Sequence, residues 1–368
     1  MEEPRKIVLI LGNGFDLDLG LKTSYKDFWE SEFCPMEYPA PLIRHLNNRW
    51  PNSRDAVKWY DLENELLVYA IQGDKSDVVS VHERNYIQSN DNNKLHNRIN
   101  YFGCDDMMSS LVEKGYMKIS KDSVYRVSIP YKEDYSQTVQ WRDHKALQLI
   151  KEGLCKYISS IIGQPYNEKP VAPIVLFASE FARVSGDLMS IYTFNYTQPP
   201  LDYGDEFGDI VHFVHGSCLD ERIIIGTRDD VSIDENYDFL QKSFDPHFNP
   251  PALVADLLEA DDVIIFGHSI GENDRQYFKA FFKQQTDYSH PKRKDITIFT
   301  KDNTSEVQIK RSLQRMTDGN LSTLYGLNNI KIIKTANLAE DQHKMLDFLV
   351  NHHIERNRAE VIIGNLLN

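Results

Sequence analysis

The sequence predicts an α/β protein built on a Rossmann-like, doubly wound and mostly parallel sheet that carries a large helical insertion. Two observations predict it. The chain opens on an aliphatic run, Ile7-Val8-Leu9-Ile10-Leu11, which passes at once into Gly12-Asn13-Gly14-Phe15-Asp16 and a helix start. An unbroken apolar run of this kind suits a strand buried on both faces, and the glycines let the backbone turn sharply. From Leu188 onward, short apolar segments alternate with helical patterns, as parallel strands do when helices connect them.

Taken in order, Ser24-Tyr25-Lys26-Asp27 has capping-box spacing and opens a short helix through Trp29. Helical periodicity follows at Leu42 to Trp50, Asp61 to Ile71, Gln137 to Ile162 and Val175 to Val184. Between the second and third of these, residues 72–100 are rich in Asn, Asp, Ser, Lys and His and read as an exposed excursion. Further strands are expected at Leu188–Phe194, Ile210–Val214, Ile223–Ile225, Val263–Phe266, Ile296–Phe299 and Ile330–Ile333. The later helices are expected near Pro251–Leu258, Asp274–Gln285, Ser305–Met316 and Glu340–His352. The economical division puts 1–30 and 186–368 in the sheet domain and makes 31–185 the helical insertion.

Composition narrows the function classes. With 368 residues, 41% of them hydrophobic, the chain can bury a large core. Its 41 basic and 55 acidic residues, formally −14, argue against a sequence-independent hold on nucleic acid, which needs a basic surface. No apolar run reaches 18 residues, and Met1-Glu2-Glu3-Pro4-Arg5-Lys6 has no signal-peptide profile, so a cytoplasmic protein with no membrane partner is expected. Cys34, Cys104, Cys155 and Cys218 form no C-x-x-C pair, and no metal site is expected.

Four segments place chemistry-bearing residues just after expected strands, where open α/β sheets bind ligands. They are Gly12-Asn13-Gly14-Phe15-Asp16 with Thr23 following, Phe194-Asn195-Tyr196-Thr197, Val214-His215-Gly216, and Phe266-Gly267-His268-Ser269-Ile270-Gly271-Glu272-Asn273-Asp274. A nicotinamide dehydrogenase is disfavoured, because Asp16-Leu17 stands where its third glycine would come and no acidic strand end follows near Glu30. Gly267-x-Ser269-x-Gly271 satisfies the bare nucleophile-elbow pattern, which keeps a serine esterase as a minor reading, although His215 precedes the serine. Asn273 or Asp274 is expected to cap the helix that follows.

These four segments, with Gly20-Leu21-Lys22-Thr23-Ser24-Tyr25 and Trp59-Tyr60-Asp61-Leu62-Glu63, resemble the AbiH family of bacterial abortive-infection proteins over almost the whole chain. That family is similar, more distantly, to the sirtuin-like NAD-binding fold. The T-Q-N-I-D and H-G segments of sirtuins match Thr193-Phe194-Asn195 and His215-Gly216-Ser217 in kind and spacing, and their later G-T-S turn corresponds to Gly267-His268-Ser269. Three departures stand out. The four-cysteine zinc module is missing, which argues against a deacylase of that architecture. Thr197 stands where sirtuins carry an aspartate, and Trp29 stands where they carry an arginine.

The resemblance implies a phage-defence protein that hydrolyses NAD to nicotinamide and ADP-ribose, with Asn195 and His215 as catalytic residues. Asn195 would hold ribose hydroxyls or the attacking water, and His215 would take a proton. Gly12, Asn13, Gly14, Phe15, Asp16, Thr23, Gly267, His268, Ser269 and Asp274 would bind the nucleotide, the glycine turns through backbone N–H groups on the pyrophosphate. NAD would be substrate or ligand rather than a resident cofactor. A phage-derived trigger and self-association into a homo-oligomer are compatible with that reading. The alternative is a sensor that binds NAD or an ADP-ribose-type nucleotide without turnover.

Overall fold

A computed structural model describes residues 3–38, 40–56, 61–72, 117–120, 123–126, 135–201, 207–289 and 292–367. Residues 73–100 of the expected polar excursion, and Trp59-Tyr60, lie outside the described residues. The chain divides into two compact units. Met1–Phe28, Cys155–Ile224 and Pro246–Asn368 form the first, Trp29–Leu154 and Ile225–Asp245 the second.

The first unit holds a six-stranded sheet. Its strands are β1 (Lys6–Leu11), β4 (Leu188–Thr193), β5 (Val211–Phe213), β8 (Asp262–Phe266), β9 (Asp295–Thr300) and β10 (Asn329–Lys334), the intervening numbers belonging to two small hairpins described below. All pairings are parallel and the spatial order is β10-β9-β8-β1-β4-β5. The chain thus builds outward from β1 through β4 and β5, then returns to β1's other side for β8, β9 and β10. The switch point of this doubly wound order falls between β1 and β8, and in open sheets ligands sit beyond the carboxyl ends of the strands near such a point.

Alternation along β1 explains the layers. Ile7, Leu9 and Leu11 face a core completed by the helices Asn13–Leu19, Ala172–Val184, Gln342–Asn351 and Arg356–Leu367. Val8 and Ile10 face the opposite core, filled by Leu253 and Leu257, by Phe278, Phe281 and Phe282, and by Leu313 and Leu324 from four further helices. A strand covered on both sides has no polar face to show, hence its aliphatic run.

Most expected elements are found within a residue or two of their predicted ends. Three differences are informative. Ile223–Ile225 was expected as a strand of the parallel sheet. Instead β7 (Arg222–Ile223) pairs antiparallel with β6 (Gly216–Ser217) in a separate two-stranded ribbon. Gly216 makes that ribbon close: its φ is 76°, and a Cβ there would lie 1.7 Å from the Arg222 carbonyl oxygen. The helices Leu321–Leu327 and Arg356–Leu367 were not anticipated. Neither was the hairpin of β2 (Met117–Ser120) and β3 (Ser123–Arg126), which belongs to the second unit.

The second unit is built around buried polar groups as well as apolar ones. Asp143 is fully buried and accepts from the Leu42 N–H at 2.9 Å, the Tyr69 hydroxyl at 2.6 Å and the Tyr237 hydroxyl at 3.3 Å. Lys242, also fully buried, pairs with Glu63 at 3.0 Å. Among the described residues no helix is long and apolar enough to cross a membrane.

Candidate functional site

The ladders of the sheet run one step past the strands and bring four turns level at the carboxyl edge. Phe194 N–H donates to Leu11 O, Val214 N–H to Thr193 O, Gly12 N–H to Phe266 O and Gly267 N–H to Phe299 O, all at 2.8–3.0 Å. The next residues of these turns are the ones singled out from the sequence.

The glycines of the two flanking turns serve contact between the turns. A Cβ on Gly12 would lie 2.6 Å from the His268 Cα, one on Gly14 2.6 Å from the Gly267 Cα, and one on Gly267 2.4 Å from the Gly14 carbonyl carbon. Gly267 also sits at φ 65°, a left-handed conformation natural to glycine. Gly14 N–H donates to Gly267 O at 2.9 Å and Phe15 N–H to Gly12 O at 2.8 Å. With the ladder bonds above, the N–H groups of Gly12, Gly14, Phe15 and Gly267 are therefore all taken by protein carbonyls. This corrects the expectation that the glycine N–H groups cradle a pyrophosphate. Among the described residues no carbonyl accepts from Asn13, His268 or Ser269 N–H. Phe15 is core, buried and edge-on to Phe266 at 5.5 Å.

Two polar groups assemble on this scaffold. In the first, the buried Asp16 carboxylate accepts from Asn195 Nδ2 at 3.0 Å and from Thr197 Oγ1 at 2.7 Å. Thr23 stands beside them with its hydroxyl 2.6 Å from Asn13 Oδ1. Burial pushes the Asp16 carboxyl up to about 6, against hydrogen bonds from Thr197, Thr23 and Asn195 that favour the ionised form. Asn195 is 6% exposed, its N–H donates to Thr193 Oγ1 at 3.1 Å, and its buried Oδ1 has no donor among the described residues. A buried acceptor without a donor costs roughly 1–3 kcal/mol, so one left at a strand end points to a ligand.

In the second group, Asp274 bridges two histidines. His215 Nε2 lies 3.3 Å from Asp274 Oδ1 and His268 Nε2 3.2 Å from Asp274 Oδ2. Ile270 N–H donates to His268 Nδ1 at 2.9 Å, so a neutral His268 carries its proton on Nε2 and gives it to Asp274. A carboxylate only accepts, which puts a proton on His215 Nε2 as well. The ring of Phe194 packs against both imidazoles, at 5.2 Å from His215 and 4.3 Å from His268. Of Asn273 and Asp274, expected to cap the following helix, Asp274 takes the N-cap position, but its side chain makes no capping bond and lies against the histidines instead.

The structure thus joins Asp16, Asn195 and Thr197 in one group and His215, His268 and Asp274 in another. No hydrogen bond links the two groups among the described residues, and Phe194, adjacent to Asn195, is their common neighbour. Thr197, set aside in the sequence as a departure, proves to be a partner of Asp16; no local pattern signals a contact between residues 181 positions apart.

Ser269 is exposed and receives no hydrogen bond from an imidazole among the described residues; the positive φ angles in its turn belong to Gly267 and Ile270. This is not the strained serine of a nucleophile elbow. Cys218 is buried, and the hydrogen bond that its thiol donates to the neighbouring Cys155, together with burial, raises its pKa far above the ordinary range, which makes it a poor nucleophile. Among the described residues no group of three or more His, Cys, Asp or Glu side chains is arranged to hold a metal ion.

The sequence model of the family described as bacteriophage abortive infection AbiH matches residues 8–293, well over half of the chain and all of both polar groups. No curated protein and no solved structure matches. On that match, the chain belongs to the AbiH family of bacteriophage abortive infection proteins.

Proposed function

We propose that this abortive-infection protein acts by hydrolysing NAD to nicotinamide and ADP-ribose at the carboxyl edge of its parallel sheet. The observation that carries the reading is the buried, unpartnered Asn195 Oδ1. It lies at the end of β4, the strand next to β1, with the Asp274-bridged His215 at the end of β5 beyond it. The sirtuin-like order of Asn195 and His215 supports the same assignment.

The chemistry asked of the residues is positioning and proton transfer. As the bond between ribose C1′ and the nicotinamide nitrogen breaks, neutral nicotinamide departs with the bonding pair and a water oxygen bonds to C1′. Asn195 Oδ1 accepts a hydrogen bond from a ribose hydroxyl or from that water. His215, held by Asp274 through Nε2, takes the proton released from the water. The N–H groups of Asn13, His268 and Ser269, from which no carbonyl accepts among the described residues, are the ones left for the diphosphate.

The test is chromatography of NAD, nicotinamide and ADP-ribose after incubation with purified protein. Equal appearance of nicotinamide and ADP-ribose, lost in Asn195→Ala, supports hydrolysis. Thermal stabilisation by NAD without products replaces it with the nucleotide sensor, and neither effect removes NAD from the account.

A further inference from the structure

An amide side chain is nearly symmetric in shape, and which end it shows to a ligand is decided by its neighbours. Here one neighbour decides. Asp16 Oδ1 is 3.0 Å from the Asn195 amide, while its other oxygen accepts the Thr197 hydroxyl at 2.7 Å. An ionised carboxylate has no proton to give, so only the Nδ2 end of the amide can face it. The carbonyl end must then turn away, and among the described residues no protein donor meets it in its buried position.

We propose that Asp16 is a positioning residue whose carboxylate locks the Asn195 amide so that the site offers its ligand a hydrogen-bond acceptor and never a donor. A ligand hydroxyl is accepted there, and a ligand carbonyl or phosphoryl oxygen is refused, because two acceptors would meet without a proton between them. The proposal rests on the NAD reading only for the identity of that hydroxyl, a ribose one.

The lock depends on charge. When Asp16 is protonated it can donate, and the amide is no longer held in one orientation. The groups that face the carboxyl are the neutral Thr23 from the loop after the first helix, with Asn195 and Thr197 from the end of β4. Among the described residues no cation pairs with it. The titratable groups on the adjoining turns are His215, His268 and Asp274. Asp16→Asn separates them from Asp16, since any pH response remaining in that variant belongs to them.

The decisive measurement needs no ligand. In protein labelled with ¹⁵N-asparagine, the Asn195 side-chain amide resonance is identified by its loss in Asn195→Ala and followed from pH 5 to pH 8. Wild type is expected to show a transition centred near 6, the value to which burial raises Asp16, and Asp16→Asn is expected to show none there. A resonance that stays flat in wild type, or that titrates alike in Asp16→Asn, overturns the proposal. With NAD as probe, Asp16→Ala is expected to lower kcat/KM by roughly 10²-fold. Asp16→Asn, whose amide can donate as a protonated carboxyl does, should lower turnover at every pH toward the level that wild type reaches well below pH 6, and lose the acid limb near pH 6. Turnover by Asp16→Ala equal to wild type at every pH also overturns it. If wild type leaves NAD intact while the resonance titrates as expected, the NAD reading fails and the orienting role of Asp16 stands.

Discussion

The two edges of the one parallel sheet each bury aspartates and histidines, yet they solve the problem of buried polarity differently. At the amino edge, Arg5 just before β1 reaches Asp187 with Nη2 at 3.0 Å and Nε at 3.3 Å, and reaches Asn351 O at 2.9 Å. Its Nη1 lies 3.8 Å from Asp262 at the start of β8. His353 adds a contact to Asp187 at 3.1 Å. One guanidinium thus ties the starts of three neighbouring strands to the end of the helix Gln342–Asn351. At the carboxyl edge, the partners of Asp16 among the described residues are neutral, and Asp274 holds two imidazoles.

Each edge also contains a buried acceptor oxygen that has no donor among the described residues, Asp262 Oδ1 and Asn195 Oδ1. The amino edge can neutralise the group that carries its own. Burial pushes the Asp262 carboxyl up to about 7, so near neutrality it can carry a proton. Its neighbour His352 gives its Nδ1 proton to Phe348 O at 2.7 Å, and burial lowers its pKa to about 4, so its Nε2 presents a lone pair 3.4 Å from Asp262 Oδ2. An amide carbonyl cannot be neutralised in that way. A buried titratable cluster is therefore a poor guide to a site by itself, and an orphaned group that cannot protonate is a better one.

The two edges should respond differently to substitution. Gly267→Ala puts a Cβ into the backbone of Gly14 at a left-handed φ, and is expected to cost about 4 kcal/mol or more, read as lost soluble yield or a lower urea midpoint. A variant that folds as wild type does would show that the glycine serves a ligand rather than packing between turns.

Asp16→Asn is expected to stabilise the protein at pH 7 by up to about 3 kcal/mol, the worth of moving a carboxyl from 3.8 to about 6. The sign follows from the folded state holding the Asp16 proton more tightly than the unfolded chain. The wild type then loses stability as pH rises from about 4 to 6 and stays penalised above. The gain should shrink toward pH 4; urea unfolding at pH 4 and pH 7 reads it, and an equal difference at both values contradicts the assignment.

Asn195→Ala and His215→Ala are each expected to lower NAD turnover by roughly 10²-fold while remaining folded. His353→Ala, at the amino edge, should leave turnover within about twofold. Comparable losses at both edges would dissolve the distinction between them. Arg5→Ala leaves two carboxylates without their cation and is expected to cost about 2 kcal/mol, below the usual figure for a buried pair because the arginine side chain is nearly a third exposed. Urea midpoints that match within error would mean that the amino edge ties nothing together.

Much of this was readable from the chain. The apolar run of β1, the four strand-end motifs and the alternation after Leu188 placed the parallel sheet and most residues of the carboxyl edge. The rest depends on register between distant strands. Asp16 finds Asn195 and Thr197 only because β1 lies beside β4, and Arg5 finds Asp187 and Asp262 only because three strands start level. Asp274 looked like a helix cap because capping is a local pattern, whereas its partners His215 and His268 come from the ends of two different strands. The glycines misled in the same way: the turn they make is local, but the turn they press against lies some 250 residues on in the chain.

A crystal of the protein soaked with ADP-ribose should show whether the carboxyl edge is the nucleotide site. Density is expected at that edge, with a ribose hydroxyl within hydrogen-bonding distance of Asn195 Oδ1 and the ribose beside His215. ADP-ribose bound elsewhere, or at that edge with a phosphoryl oxygen against Asn195, would contradict it.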